Sequence, residues 1–458
     1  MSLSRRRFTL AGGRESTRFE FSRKKRGMAV RSNKLILGAV VAGACGVGTI
    51  PAFAADMAVK AATIQSIDQA WNISYNSEVR YFSWDNTRGF PASVPTLAGT
   101  GHGTQVYAPM SLSLSGSTSP NWKFDFVVRG GFVSSSQTTS GERGSVDTPV
   151  DTQLSGTVTY NGLTGFQPYF SMLINAPTGK SALYNSARFA RMDGDLVDQG
   201  SYGEGWNFGP TAGVNIPLSQ SLILTLSGGY TQRNPYAKES QNPFTGLVTD
   251  TVSVKNGDEA TATAALGYSQ GPLSLQGSAS YSSDQISQSS QFGLQDYNRY
   301  RVGPRTTISG SGSYAFDAMW SVYANGFWTH TEKNDVLDNN GLALINEPFN
   351  SNSNLYRIDT GLNYRFANGF TIGPTGSYLY RDHDGYDPTT FSFVPAKTRY
   401  SVGAAASYNV TNKININGKL ERVWIREDIT PGPPAFFPVV PFLSGDAWVV
   451  AGGATVNF

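Results

Sequence analysis

A single cysteine, Cys45, occurs in the 458 residues, so no disulfide can form within the chain. Histidine is nearly as scarce. The three present, His102, His330 and His383, fall in no H-E-x-x-H pattern, and no G-x-S-x-G or paired-cysteine motif accompanies them. Charged residues make up only 15% of the chain and hydrophobic ones 39%, a poor composition for one large soluble core. Beyond residue 50 no apolar run approaches the ~18 residues that a membrane-spanning helix needs. These shortages argue against a zincin, a nucleophile-elbow hydrolase, a disulfide scaffold and a helical membrane protein. Glycine (50), tyrosine (22) and phenylalanine (26) are plentiful instead.

One stretch invites a nucleotide-binding reading. "INAPTGKS", Ile174 to Ser181, ends like a P-loop. The G-x-x-x-x-G-K-[ST] pattern, however, needs glycine where Ile174 stands, and a helix after the loop to face the phosphates.

The N-terminus reads as a targeting segment over residues 1–54, with Met28 the expected true start. Arg31 and Lys34 precede the apolar run Leu35–Ile50, and Ala52 and Ala54 supply A-x-A spacing for cleavage after Ala54 or Ala55. "SRRRF", Ser4 to Phe8, resembles a twin-arginine signal, but twenty-six residues separate it from the apolar run. Residues 1–54 carry 11 Lys/Arg and 2 Asp/Glu, which leaves residues 55–458 with 25 basic and 31 acidic side chains, a net of −6. The formal +3 of the whole chain therefore belongs to the leader and gives no support to nucleic-acid binding. Residues 55–70 are expected to form a short periplasmic start.

From residue 71 onward, period-2 alternation dominates. Trp71, Ile73, Tyr75, Val79 and Tyr81 share one face, opposite Asn72, Ser74, Asn76, Glu78 and Arg80. Trp122, Phe124, Phe126 and Val128 oppose Lys123, Asp125 and Arg129 in the same way. The pattern predicts sixteen strands, near 71–84, 104–117, 121–134, 152–161, 166–176, 205–216, 222–233, 258–269, 272–283, 298–315, 319–332, 354–366, 370–381, 397–410, 414–427 and 445–458. Two of them alternate poorly: Tyr323 and Phe327 oppose Trp328, and Arg422 breaks the phase of Ile414 and Ile416. Short connections ("TSPN", "NGLTG", "PLSQS", "SQGP", "AFDAM", "ANG", "TNK") alternate with long ones. An even number of amphipathic strands, short turns on one side, long loops on the other and aromatics near strand ends describe an outer-membrane barrel. The fold class predicted is thus all-β: a single transmembrane antiparallel β-barrel over 71–458, of about 16 strands, with 14 or 18 as the neighbouring even counts. A secreted sandwich or solenoid is the alternative, and would not gather Trp84, Tyr160, Tyr230, Tyr281, Tyr364, Phe370 and Tyr400 near strand ends.

Three resemblances follow. "AWVVAGGATVNF" ends the chain with Trp448, Val450, Ala454, Val456 and Phe458 in phase, and resembles the closing strand of Gram-negative outer-membrane proteins. That resemblance implies an assembly signal at Trp448, Val456 and Phe458, read by the barrel assembly machinery, in a protein of the cell outer membrane in contact with lipid and lipopolysaccharide. The long loop after Pro177 carries Lys180, Arg188 and Arg191, then Asp193, Asp195 and Asp198. Its position and segregated charges resemble the constriction loop of general porins, which folds into the lumen; a solvated surface loop is the plainer alternative. The P-T-G turn at Pro177–Gly179 also resembles outer-membrane proteins of the phenol-degradation meta-pathway type, which implies uptake of hydrophobic compounds.

The polar faces are expected to line the lumen. They carry Arg80, Lys123, Arg129, Arg233, Arg301, Arg305, Arg357, Arg365, Arg381, Arg399 and Lys419, against Glu78, Asp125, Glu259, Asp359 and Glu421. Rings of Arg and Lys favour anions; pairing between neighbours such as Glu78 and Arg80 would reduce the surplus. The function expected is passive diffusion of small hydrophilic solutes with an anion lean. The rivals are a gated channel for hydrophobic or aromatic compounds and a structural or adhesive surface protein. No enzymatic activity, cofactor, metal or nucleic-acid partner is implied, and a homo-oligomer stays open.

Overall fold

A computed structural model describes residues 71–458, apart from 89–98, 140–141, 193, 195–196, 241–249, 292–293, 339, 389–392 and 429–443. The expected leader and periplasmic start lie outside the described residues.

In chain order the strands are β1 (Asn72–Arg88), β2 (Gly99–Ser119), β3 (Trp122–Thr139), β4 (Glu142–Pro149), β5 (Thr152–Tyr160), β6 (Gln167–Ala176), β7 (Asn207–Pro217) and β8 (Leu222–Arg233). Next come β9 (Tyr236–Ser240), β10 (Asp250–Lys255), β11 (Glu259–Gln270), β12 (Leu273–Asp284), β13 (Ile286–Gln291), β14 (Leu294–Arg301), β15 (Arg305–Ala315) and β16 (Trp320–Thr331). The last are β17 (Asp335–Leu337), β18 (Leu344–Asn346), β19 (Leu355–Arg365), β20 (Phe370–Arg381), β21 (Lys397–Asn409), β22 (Ile414–Glu427) and β23 (Ser444–Asn457). Sixteen of these pair antiparallel with sequence neighbours and close into a barrel, β23 against β1 from Ser74↔Asn457 to Thr87↔Ser444.

Most barrel positions obey the alternation that the sequence shows. Outward positions are apolar and uncovered by protein: Val79, Phe126, Phe170, Val402 and Leu420 all have large exposed surfaces. Inward positions are polar and shielded: Gln105, Ser135, Asn215, Thr225, Ser401 and Glu421 are buried. This inside-out distribution is stable only when lipid surrounds the barrel. Closure also leaves no barrel-strand edge unpaired, which a bilayer requires. Aromatic pairs mark both rims of the apolar band. Trp122–Tyr160, Trp320–Tyr364 and Phe366–Phe370 sit at the short-turn end, and Tyr356–Tyr380 and Tyr400–Trp424 at the long-loop end.

Two expectations need correction. The strand read at 298–315 is two strands, because Val302–Gly303–Pro304 interrupts it. Pro304 has no N–H for a ladder, and a Cβ on Gly303 would lie 2.0 Å from the Glu332 carbonyl oxygen. The outer piece, β14, joins a second sheet of order β18-β17-β14-β13-β10-β9, built within the long loops. Trp84, expected at the membrane rim, instead points inward and is 3% exposed. It packs over its cross-strand partner Gly103, where a Cβ would meet the indole at 2.7 Å.

Candidate functional site

The long connection between β6 and β7 does not stand out from the rim. It runs back along the inner wall, and three kinds of contact hold it there.

At its root, Asp151 bonds both ends of the loop: Oδ1 accepts from the Gly179 N–H at 3.0 Å and Oδ2 from the Glu204 N–H at 2.8 Å. Pro177–Lys180 is thus a structural turn. Among the described residues no α-helix follows it, only a 3-10 helix at Asn185–Ala190, and the Gly179 N–H that a P-loop would offer to phosphate is already bonded. In its middle, the Arg191 guanidinium pairs with Glu239 of β9, and the Leu183 N–H donates to the same carboxylate at 3.0 Å. Burial would raise the Glu239 pKa, but the hydrogen bond and charge of Arg191 bring it below the usual carboxylate range. Gln137 of β3 donates to the Phe189 and Arg191 carbonyls, and Gln105 of β2 donates to the Gln199 carbonyl at 2.9 Å. Near the tip, Met192 and Val197 pack into a buried apolar cluster with Phe82, Trp84, Val423, Ile425, Ala447 and Val449, all on inward positions of β1, β22 and β23.

Asp198 adds the electrostatic contact. Its Oδ2 accepts from Arg80 Nη1 at 2.9 Å, while Arg80 Nε donates to Glu78 at 2.6 Å. Burial pushes the Asp198 carboxyl up, but Arg80, with help from Arg399 and Lys419, holds it down at about 2.

The register places most of the expected lumen cations on inward phases and gives them neighbours. Lys123 meets Asp125 at 3.2 Å, Arg357 meets Asp359 at 2.8 Å and Lys419 meets Glu421 at 2.7 Å. Arg233 and Arg305 share Glu259, Arg233 also reaching Asp284. Arg129, Arg365, Arg381 and Arg399 share the inward phase of their strands. The Nε of Arg399 has no hydrogen-bond partner among the described residues. Arg301 does not belong with them. It ends β14 in the outer sheet, half exposed and paired with Asp335, because the break at 302–304 takes it out of the barrel. Lys397, Asp284 and Glu427 are inward residues that the expected set lacked, and Lys397 meets Glu427 at 3.0 Å.

Within the loop, the charged residues separate by role. Lys180 sits exposed at the root, its Nζ 3.4 Å from the Asp147 carbonyl oxygen. Arg188 stacks over Phe189 at 4.4 Å. Asp193 and Asp195 lie outside the described residues. On β23, Trp448 and Val456 share the outward phase, and Phe458 follows the strand with its N–H donating to the Ile73 carbonyl at 3.0 Å.

The protein is a closed barrel of sixteen strands, mostly apolar outside and polar inside, and its third long loop enters the lumen. The fold is that of a transmembrane β-barrel of the outer-membrane type.

No known family profile matches the chain, and no curated protein matches it. Solved structures do. A FadL homologue from Pseudomonas aeruginosa is 10% identical with a TM-score of 0.45, over 88% of this chain and 92% of that one. OccK7 (OpdD) of the same species is 12% identical with a TM-score of 0.41, over 84% and 99%. A BenF-like porin from Pseudomonas fluorescens Pf-5 is 12% identical with a TM-score of 0.40, over 84% and 99%. At these identities the likeness is one of fold alone.

The contacts that hold the loop were hard to anticipate. Asp151 and Glu239 stand in connections with no periodic signal. Phe82, Trp84, Val423 and Ile425 did leave a trace, since they are apolar residues on the polar phase of their strands.

Proposed function

We propose that the protein is an outer-membrane channel through which small hydrophilic solutes diffuse passively, with a preference for anions. One observation carries this: the third loop lies against one side of the inner wall, while the facing strands carry small polar side chains. Thr261, Thr263, Ser278, Ser280, Ser309 and Ser311 occupy the inward phases of β11, β12 and β15, a surface suited to water and hydrated solutes. A pathway for hydrophobic compounds would need an apolar track, and the inward apolar patch at Phe82, Trp84, Val423 and Ile425 is covered by Met192 and Val197.

The anion preference rests on fixed charge. Among described side chains, the inward phases of the barrel strands hold eleven cations and seven acids. The seven acids and Asp198 supply most of the pairing, and positive charge remains over. An excess of fixed positive charge raises the local anion concentration.

Reversal potentials in a planar bilayer under a salt gradient test both parts. Replacing Arg305, Arg357, Arg399 and Lys419 by Gln is expected to move selectivity towards cations. The shift is expected to shrink with salt, since the Debye length falls from about 10 Å at 0.1 M to about 3 Å at 1 M. A cation-selective native protein overturns the anion preference. Absence of conductance overturns the open channel and favours gated uptake of hydrophobic compounds.

A further inference from the structure

We propose that Asp151 is a positioning residue that fixes the third loop inside the lumen by clamping both of its ends, and so sets the bore of the channel. The pore-size consequence rests on the channel function proposed above; the clamp itself does not.

The local sequence builds the clamp by breaking a strand. β4 and β5 both pair with β3, with Phe132 opposite Pro149 and Arg129 opposite Gln153. Between those pairs β3 has two residues and the facing chain has three, 150–152, so the facing chain carries a bulge. The Val150 N–H still reaches the Gly131 carbonyl at 3.0 Å. The Asp151 N–H turns away and donates to the Tyr202 carbonyl at 3.1 Å. The Asp151 side chain, 5% exposed, then sits between residues 178–180 and 202–205, the two ends of the loop.

The chemistry of the partners selects a carboxylate. The Gly179 and Glu204 N–H groups donate to its two oxygens, and Asn175 Nδ2 donates to Oδ2 at 2.7 Å. Only an ionised carboxyl offers acceptors alone to three converging donors. Such charge-assisted bonds are about twice as strong as neutral ones. Neighbours complete the joint. Asn175 Nδ2 also donates to the Gly205 carbonyl at 2.7 Å. The Thr178 hydroxyl accepts from the Thr152 N–H at 2.8 Å and donates to the Val150 carbonyl at 2.8 Å. The two loop ends also press together, for a Cβ on Gly179 would lie 1.9 Å from the Tyr202 carbonyl oxygen.

The variant Asp151→Asn keeps the shape and turns an NH2 towards one of the backbone donors. Thr178→Val removes the neighbouring joint at an exposed position and is the second variant should the first fail to fold. Heat-modifiable mobility on gels certifies the barrel in each. Two readouts follow. Trypsin is expected to leave the bonds after Arg188 and Arg191 intact in the native protein. It is expected to cut them about 10- to 100-fold faster in Asp151→Asn, as loss of a hydrogen bond to a charged group implies. In planar bilayers the variant is expected to show a larger unit conductance, noisier open current and passage of larger neutral polyethylene glycols. Thr178→Val is expected to move both readouts in the same direction by less. Faster cleavage without conductance in either protein supports the clamp and refutes the channel. Conductance in both, with native trypsin resistance and native pore size in the folded variants, overturns the clamp and leaves the channel standing.

Discussion

Asp198 offers the most quantitative test of how the loop tip is held. Its carboxylate lies 2.9 Å from Arg80 Nη1 and is held at about 2, against an ordinary 3.8. Each pKa unit is ~1.36 kcal/mol, so the undiscounted coupling is about 2.5 kcal/mol. A third of the side chain remains open to the lumen, where water screens the charge. A coupling of about 1–1.5 kcal/mol is the fairer figure, roughly a tenfold change in the docked-to-undocked ratio of the tip. Arg80 would keep Glu78 as a partner after the loss of Asp198, so no bare buried charge adds to the cost.

The sign follows from the direction of the shift. A carboxyl with a lowered pKa stabilises the docked state fully above its ordinary value and loses that contribution as pH falls through its lowered one. Native tip docking is therefore expected to hold above about pH 4 and to weaken between about pH 4 and pH 2. Asp198→Asn is expected to show the loosened state already at pH 7, with no further change on acidification over that range. Single-channel recordings at pH 7, 4 and 3 measure it as the fraction of time in the altered conductance level, about tenfold higher in the variant at pH 7. A variant indistinguishable from the native channel at pH 7 refutes the reasoning. So does an acid transition that persists unchanged when the carboxyl is gone.

Two further outcomes are expected at the ends of the chain. Deleting Phe458 removes the residue that follows the outward row of β23 and whose N–H reaches the Ile73 carbonyl, and is expected to lower the folded, heat-modifiable fraction; native yield would count against an assembly role. N-terminal sequencing of membrane-extracted protein is expected to begin at Ala55 or Asp56, and recovery of residues 35–50 in mature material would contradict cleavage at the Ala52/Ala54 site.

The barrel was legible because lipid outside and water inside impose one rule on every strand. Leu222–Arg233 and Phe370–Arg381 begin and end where alternation begins and ends. The irregular strand β16 departs from it, with Phe327 buried inward on the phase of Ser321. The rule lapses beyond the membrane. β9, β10, β13, β14, β17 and β18 form a sheet above the rim, where neither face must meet lipid, and short polar segments such as "ISQSSQ" carry too little contrast to be read. The loop contacts were illegible for another reason. Asp151 meets Gly179 and Glu204 only because the chain returns, and nothing local to Asp151 announces two partners so far along the sequence. The bulge that presents it depends on the count of residues between two ladders, which is visible only when both are known.

The seat of the loop tip shows how local violations of that rule become informative once the topology is known. A polar lumen leaves no reason to place Phe82, Trp84, Val423, Ile425 and Val449 inward, and each would cost free energy if it faced water. Their grouping resolves the conflict, because β22 and β23 meet β1 only across the closing seam. Met192 and Val197 cover them and recover the burial, at about 1.5–3 kcal/mol per large apolar side chain fully withdrawn from water. The seat is incomplete until the last strand has paired with the first. Docking of the loop tip is therefore linked to closure of the barrel: the contacts that hold the tip also bridge the seam, adding side-chain packing to its backbone ladder. A loop that narrows the lumen in this way cannot reach its native position before the wall that it narrows is whole.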